Sequence, residues 1–190
     1  MLRNLENVLV NGVMTYKDPV AFRFFENVEI PFRDAGEYKV AVHTKEVDNA
    51  LKIAHNYLGD KYIKLLSGKY NLYGQPEIVN GVDAPSTNWH NDLKEGANLA
   101  ILMYFTNASN KEQGGSLSVR HRDTKELSCM LHPGQTDIVI LNHTSHFEHK
   151  VGEWKLIPGK SERIVGCFDY NIWRINYFLV AEYTPHKKKI

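Results

Sequence analysis

The sequence predicts a mainly β fold with helix near the N-terminus (α+β), of the sandwich or jelly-roll type. Two observations lead to this prediction. Beyond Gly68, short apolar runs alternate with turn residues such as Gly114-Gly115 and Pro133-Gly134. Between residues 44 and 66, apolar residues instead recur every three or four positions, which is typical of an amphipathic helix. We expect these N-terminal helices to pack on one face of a β-sheet.

The individual elements follow from the same patterns. Residues 8–14 and 20–30 are predicted as strands because both are apolar and the second is rich in phenylalanine. The helical pattern of residues 44–66 is interrupted near Gly59. Further strands are predicted at residues 77–82, 97–106, 116–120, 135–141, 147–151, 163–168 and 172–183. The chain is interpreted as one domain, residues 1–190, with residues 1–75 supporting a jelly roll of about residues 76–183.

Composition limits the classes of protein to which the chain can belong. The 190 residues are 43% hydrophobic and 24% charged, as in an ordinary globular domain. The formal net charge of +1 argues against a broad surface for nucleic acid. Residues 1–12 show no signal-peptide pattern, and no apolar run is long enough for a membrane span, so a cytoplasmic protein is expected. Cys129 and Cys167 are expected to be buried thiols rather than a disulfide framework.

The stretch Trp89-His90-Asn91-Asp92 contains the first candidate metal ligands. On an extended strand, residues two apart point to the same side, so His90 and Asp92 can converge on one ion. A third ligand is available from the later histidines His143, His146 and His149. Two imidazoles and one carboxylate form the facial triad that holds non-haem Fe(II) and leaves positions open. We expect His149 to complete the set because it lies in an apolar strand, with His146 as the alternative.

Several short motifs follow one another along the chain. They are His90-x-Asp92, Tyr104-Phe105-Thr106, Gly114-Gly115-Ser116-Leu117, Pro133-Gly134, His149-Lys150-Val151 and Arg163. Their order resembles that of the 2-oxoglutarate-dependent Fe(II) dioxygenases, and most closely the prolyl 4-hydroxylase-like group, over about residues 78–178. The resemblance implies a double-stranded β-helix (cupin-like jelly roll), Fe(II) as cofactor, and 2-oxoglutarate and O₂ as co-substrates.

The resemblance also implies roles for single residues. His90, Asp92 and His149 would hold the iron, and Tyr104 and Arg163 would bind the distal carboxylate of 2-oxoglutarate. Arg163 follows His149 by fourteen residues, which requires an enlarged hairpin between them and makes Lys160 a rival anchor. Arg163 is preferred because it opens an apolar strand. No residue is assigned to the 1-carboxylate of 2-oxoglutarate.

The expected reaction is hydroxylation of an unactivated C–H bond with release of succinate and CO₂, with ascorbate as a candidate reductant. The resemblance favours a prolyl or other amino-acid side chain as substrate, free or in a peptide. Trp89, Arg120 and Trp173 are candidates for contact with it. A membrane partner is not expected, and the sequence does not predict the oligomeric state. Two alternatives stay open: a catalytically silent jelly-roll protein that binds a small ligand, and a zinc-dependent hydrolase that uses the same three ligands.

Overall fold

The computed structural model describes residues 8, 10–36, 38–67, 70–81, 86–92, 98–106 and 112–172, without the side chains of residues 66, 67 and 73–75. None of the helices in these ranges is long and apolar enough to cross a membrane. The helical elements are α1 (Pro19–Arg23), α2 (Lys45–Leu58), a π-helical turn (Gly59–Ile63) and α3 (Lys64–Ser67). The strands are β1 (Val13–Lys17), β2 (Phe32–Asp34), β3 (Tyr38–Ala41), β4 (Asn71–Gly81), β5 (Leu99–Tyr104), β6 (Leu117–His121), β7 (Leu127–Leu131), β8 (Asp137–Asn142), β9 (Phe147–Val151) and β10 (Arg163–Asn171).

These strands form two antiparallel sheets. The larger has the order β1-β8-β5-β10-β4-β3-β2, and the smaller has the order β7-β6-β9. An apolar layer between the sheets joins Val139 and Val165 of the larger sheet to Leu117, Val119 and Phe147 of the smaller one. The predicted mainly β jelly roll is confirmed.

The predicted helix over residues 44–66 is also confirmed. Thr44 caps α2, because its Oγ1 accepts a hydrogen bond from the amide of Val47 at 3.2 Å. The interruption expected near Gly59 is the π-helical turn, where an added Cβ would collide with the ring of Tyr70. The buried face of α2 packs on the outer side of the larger sheet, as expected for the N-terminal helices, through Val47, Leu51, Ala54 and Leu58.

The strand prediction for residues 20–30 is wrong, because this segment begins with the short helix α1. Pro19 occupies the first helical turn, where its missing N–H costs no hydrogen bond. Ala21 and Phe25 lie four residues apart and are both buried, which is a helical spacing. The prediction for residues 8–14 is wrong at its start: residues 8, 10 and 11 are helical, and β1 begins only at Val13.

The sequence analysis missed β2, β3 and β7. Two of them, β2 and β7, are edge strands. β2 has three residues of which two are charged, so it lacks an apolar run, whereas β7 is apolar in sequence but leaves Leu127 and Met130 exposed. The predicted strand over residues 172–183 lies outside the described residues beyond Ile172. The one-domain organisation stays a prediction.

Residues 152–162 connect β9 to β10, at the place where an enlarged hairpin was expected. The connection is fixed to the segment before β6, since the amide of Gly115 donates to the carbonyl of Glu153 at 2.8 Å. Gly114 has φ +84°, and an added Cβ would collide with that same carbonyl. The side chain of Gln113 donates to the carbonyl of Ser161 at 3.1 Å. These contacts hold the chain that leads into Arg163.

Candidate active site

His90 and His149 are brought together by their own backbones. The amide of His90 donates to the carbonyl of His149 at 3.0 Å, and the amide of His149 donates to the carbonyl of His90 at 2.9 Å. This isolated antiparallel bridge attaches the segment of His90 to β9 at the edge of the smaller sheet. It places the two rings 4.3 Å apart between their centroids.

Asp92 completes a group of three candidate ligands. One nitrogen of each imidazole and one carboxylate oxygen lie within 4.8 Å of one another. The Asp92 carboxylate is 3.2 Å from Nε2 of His149 and 3.7 Å from Nε2 of His90. The donor set of two imidazoles and a carboxylate therefore fits one divalent ion.

A hydrogen bond fixes the tautomer of His90. Its Nδ1 lies 2.7 Å from the carbonyl oxygen of Asn88, which can only accept a hydrogen bond. Nδ1 therefore carries the proton, and the lone pair of Nε2 is directed towards the other two ligands. Histidine ligands are commonly oriented by such a bond to the second ring nitrogen.

The histidines keep Asp92 ionised. Hydrogen bonding to His149, opposed by burial and aided by the charges of His149, His143 and His90, lowers the pKa of Asp92 to about 2. An ionised carboxylate is the form that binds a metal ion. The carboxylate is thus available as a ligand over the physiological pH range.

Asn91 and His143 support the three candidate ligands. The side-chain amide of Asn91 donates to the carbonyls of Thr144 at 2.6 Å and Phe147 at 2.7 Å, both in the chain that leads to His149. The ring of His143 is stacked on that of His149, with 5.3 Å between centroids and an interplanar angle of 8°. The sequence analysis did not identify Asn91. Its only signal was its position between His90 and Asp92.

A cavity of about 580 Å³ opens beside these ligands between the two sheets. Arg163 lies in its wall at the start of β10, with its guanidinium carbon 5.7 Å from the centroid of the Tyr104 ring. Burial raises the pKa of Tyr104, and the Arg163 charge opposes that rise. The Tyr104 phenol oxygen and Arg163 Nε are both buried without a hydrogen-bond partner in the described part of the chain. Tyr104 is fully buried and is not among the residues that line the cavity, whereas Arg163 is. The unsatisfied Nε of Arg163 in the cavity wall suits a carboxylate ligand.

Lys160 and His146 are placed away from this cavity. Lys160 is half exposed, and its Nζ lies 3.2 Å from the carboxylate of Glu112. His146 is not among the residues that line the cavity. The geometry therefore favours Arg163 and His149 over these two alternatives.

Two of the residues expected to contact substrate point elsewhere. On β9, His149 faces the cavity, so its neighbours Glu148 and Lys150 face outwards. Arg120 pairs with Glu148 on that outer face, and its guanidinium lies 4.2 Å from the centroid of the Trp89 ring. Neither Trp89 nor Arg120 lines the cavity, because both follow the outward alternation of the smaller sheet. Trp173 lies outside the described residues.

Comparison with known proteins agrees with this architecture. No protein-family model matches the chain. A solved oxidoreductase of the 2OG-Fe(II) oxygenase family from Burkholderia pseudomallei superposes with a TM-score of 0.67 at 12% identity, over 89% of this chain and 88% of that one. A prolyl hydroxylase from Trichoplax adhaerens, solved with a peptide of hypoxia inducible factor, gives a TM-score of 0.64 at 12% identity, over 92% and 90%.

The chain has the fold of the 2OG-Fe(II) oxygenases. A third relative in structure, HygX from Streptomyces hygroscopicus with nickel and 2-oxoglutarate bound, has a TM-score of 0.61 at 11% identity, over 90% of this chain and 87% of that one. The resemblance expected from the motifs, to oxygenases that include prolyl hydroxylases, is confirmed at the level of the fold. His90, Asp92 and His149 come together in the wall of the cavity of this fold.

A sequence relative gives a different result. The chain is 30% identical over 121 residues to mini-ribonuclease 3 of Desulfitobacterium hafniense (strain Y51), which is 64% of this chain and 70% of that protein. By sequence likeness alone, the chain belongs with mini-ribonuclease 3. The structural match spans 89% of the chain and the sequence match 64%. The three candidate ligands converge within the fold that the structural match describes.

Proposed function

We propose that the protein is an Fe(II)- and 2-oxoglutarate-dependent dioxygenase that hydroxylates an unactivated C–H bond. The observation that carries this proposal is the cavity that holds His90, Asp92 and His149 together with Arg163. A metal triad alone would also suit zinc, but the half-buried guanidinium of Arg163 in the same cavity supplies the charge that a 2-oxo diacid needs.

Each residue has a separate task in this proposal. His90, Asp92 and His149 would hold the metal, and 2-oxoglutarate and O₂ would take the remaining positions. Arg163 and the Tyr104 hydroxyl hold the distal carboxylate of 2-oxoglutarate and so fix its orientation. When bound, the iron and its co-substrate supply the oxidising chemistry, with release of succinate and CO₂, while ascorbate is a candidate reductant. The apolar walls at Val79, Leu102 and Val165 keep water away from the reacting centre.

The substrate is proposed to be a prolyl or other amino-acid side chain, free or in a peptide. This follows from the resemblance to the prolyl 4-hydroxylase-like group and from a fold shared with a prolyl hydroxylase. The alternative of a catalytically silent binding protein is less well supported, because all three ligand side chains are in place.

A second candidate is a metal-dependent ribonuclease, which the 30% identity to mini-ribonuclease 3 favours. The net charge of +1 and the carboxylates in the cavity wall are unfavourable for a polyanionic substrate. The two candidates are separated by co-substrate: an oxygenase consumes 2-oxoglutarate and O₂, whereas a ribonuclease cleaves RNA with a divalent ion alone.

The test is an anaerobic titration of the protein with Fe(II) and then 2-oxoglutarate, followed by exposure to O₂ and measurement of succinate. We expect binding of both and slow succinate formation even without substrate. His90→Ala, Asp92→Ala and His149→Ala should each abolish metal binding and turnover, while His146→Ala should retain both. Intact metal binding with no succinate under any condition would favour the silent binding protein, and RNA cleavage with Mg²⁺ or Mn²⁺ that needs neither co-substrate would favour the ribonuclease.

A further inference from the structure

The wall of the cavity changes charge along β10. Arg163 stands at the start of the strand, and Asp169 lies on the same face six residues later, about 20 Å away along an extended chain. Glu77 of β4 pairs with Cys167 of β10, so its side chain also enters the cavity wall near the acidic end. One end of the cavity is therefore cationic and the other is acidic.

Glu77 is the residue of this group that is open to a ligand. It is exposed, and within the described residues its carboxylate takes part in no ion pair or hydrogen bond. The charge of Glu77 also acts on the neighbouring thiol of Cys167. Burial raises the pKa of Cys167 to about 12, with a further contribution from the charges of Asp169, Glu77 and Asp92, and the charge of Arg163 opposes this rise. Glu77, Asp169 and Asp92 therefore all lie near Cys167 in the cavity wall.

The charges of the site with metal and 2-oxoglutarate bound show why the carboxylate of Glu77 affects the choice of substrate. The two positive charges of the metal and that of Arg163 would be balanced by Asp92 and by the two carboxylates of 2-oxoglutarate. Glu77 is not needed for either ligand, and it is an exposed residue of the cavity wall. A neutral substrate would leave this carboxylate unpaired when it covers the opening, which disfavours its binding.

We propose that Glu77 selects a cationic substrate, one that presents an amine or a guanidinium close to the C–H bond that reacts. This inference rests on the proposed oxygenase function and narrows its substrate class. The positive group lies against Glu77, and the carbon to be oxidised lies between Glu77 and the metal. Asp169 contributes a second carboxylate to the same wall. Free basic amino acids and basic side chains in peptides share this chemistry, and the test separates them.

The experiment compares charged probes with neutral isosteres. L-arginine is paired with L-citrulline, L-lysine with Nε-acetyl-L-lysine, and each also forms the central residue of a capped tripeptide. Binding of each probe is measured by NMR line broadening on the protein loaded with Mn(II) and 2-oxoglutarate, and stimulation of succinate formation is measured on the Fe(II) enzyme. The variants are Glu77→Gln and, as a matched control, Glu26→Gln, whose carboxylate is exposed outside the cavity.

We expect the charged member of at least one pair to bind and to stimulate turnover, and its neutral isostere to do so about tenfold more weakly. Glu77→Gln should remove that preference, and Glu26→Gln should behave as the wild type. A response confined to the tripeptides would assign a peptidyl substrate, and a response to the free amino acids would assign a small molecule.

Equal responses to charged and neutral probes, including no response to any of them, would overturn the inference while the oxygenase function stands. A preference that survives in Glu77→Gln would also overturn it. Failure of the protein to bind the metal and 2-oxoglutarate at all is a different result, because it removes the proposed function together with this inference.

Discussion

The side chain of Asn91 holds the backbone carbonyl of Phe147 at 2.7 Å, and through this bond the two parts of the metal triad are joined. The same amide nitrogen donates to Thr144, so both of its hydrogens are used. Asn91 stands between His90 and Asp92, whereas Phe147 begins the strand of His149. The contact therefore sets the distance between ligands that are far apart in sequence.

We predict that Asn91→Ala weakens metal binding by about ten- to a hundredfold, a range typical of residues that orient metal ligands. The ligands themselves are unchanged, so the loss would come from their positions. The measurement is anaerobic titration with Fe(II) or Co(II), with the melting temperature of the metal-free protein recorded beside it. Asn88→Ala is the control, because His90 uses only the backbone carbonyl of Asn88. Equal metal affinities for the two variants would rule out this role for Asn91.

The three candidate metal ligands could be predicted from the sequence because residue spacing and strand alternation determine the direction of their side chains. The spacing of His90 and Asp92 predicted that their side chains point to the same side, and the alternation of β9 points His149 inwards. The alternation that fixes His149 also turns Arg120 outwards, but which face of β6 is covered depends on its pairing with β9. The outward placement of Arg120 therefore could not be predicted, since this pairing is a tertiary fact that no local pattern contains. Contact of Trp89 and Arg120 with substrate stays a prediction.

The elements of the fold also differ in how far local sequence patterns predict them. The helix over residues 44–66 and the central strands have strong periodic patterns, and these were predicted. In residues 20–30 the phenylalanines suggested a strand, but Phe22 and Phe25 each pack edge-on against Phe105, 5.1 Å between centroids, on the outer face of the larger sheet. Packing against the sheet, rather than pairing within it, decided the conformation there.

The second prediction concerns the anchor of 2-oxoglutarate. Arg163→Ala should weaken 2-oxoglutarate binding by roughly 2 to 5 kcal/mol, or about thirty- to several thousandfold, because it leaves a buried carboxylate without its charged partner. Arg163→Lys should recover only part, since an ammonium cannot make the two-point contact of a guanidinium. Titration of the anaerobic Fe(II) complex measures both.

Lys160→Ala is the matched control, because Lys160 is half exposed beside Glu112. It should bind 2-oxoglutarate with nearly unchanged affinity. A reversal of these two results, with Lys160→Ala the damaging change, would mean that the diacid enters along the residue 152–162 connection and not along β10.

The third prediction concerns Tyr104→Phe, which should have opposite effects on the stability of the ligand-free protein and on its affinity for 2-oxoglutarate. The buried phenol oxygen has no hydrogen-bond partner among the described residues, so its removal should leave the ligand-free protein as stable as the wild type or more stable by about 1 kcal/mol. If the hydroxyl donates to 2-oxoglutarate, the same change should weaken binding by about fivefold or more. Urea unfolding without ligand and titration with 2-oxoglutarate provide the two values. A variant that loses stability but keeps its affinity would show that the hydroxyl has a structural partner and no ligand.

The fourth prediction concerns the acid stability of the N-terminal region, where the buried carboxylate of Asp18 joins β1 to the helices. It accepts hydrogen bonds from Lys61 at 2.8 Å and Tyr62 at 2.7 Å, and from Tyr57 at 3.2 Å. Burial alone would raise the pKa of Asp18, but the hydrogen bonds of Lys61 and Tyr62, the Lys61 charge and the Tyr57 hydrogen bond together lower it. A carboxyl whose pKa is lower in the folded state stabilises the fold above its unfolded pKa of about 3.9, and that contribution is lost as the pH falls through the folded pKa.

Asp18→Asn should therefore destabilise the protein near neutral pH by about 2 to 4 kcal/mol, because Lys61 and Tyr62 lose a charged acceptor that is buried from water. The difference in the free energy of unfolding between the variant and the wild type should shrink below about pH 4, where the wild-type carboxyl also becomes protonated.

Asp60→Asn is the control. Its ion pair with Lys64, at 3.6 Å, is exposed on the same helical segment and should contribute less than about 0.5 kcal/mol. Urea unfolding at a series of pH values, from about 2.5 to about 7, tests the prediction, because this range includes both the ionised and the protonated form of the carboxyl. A difference between Asp18→Asn and the wild type that is constant across this range would show that the hydrogen-bond geometry, and not the charge of Asp18, stabilises the junction.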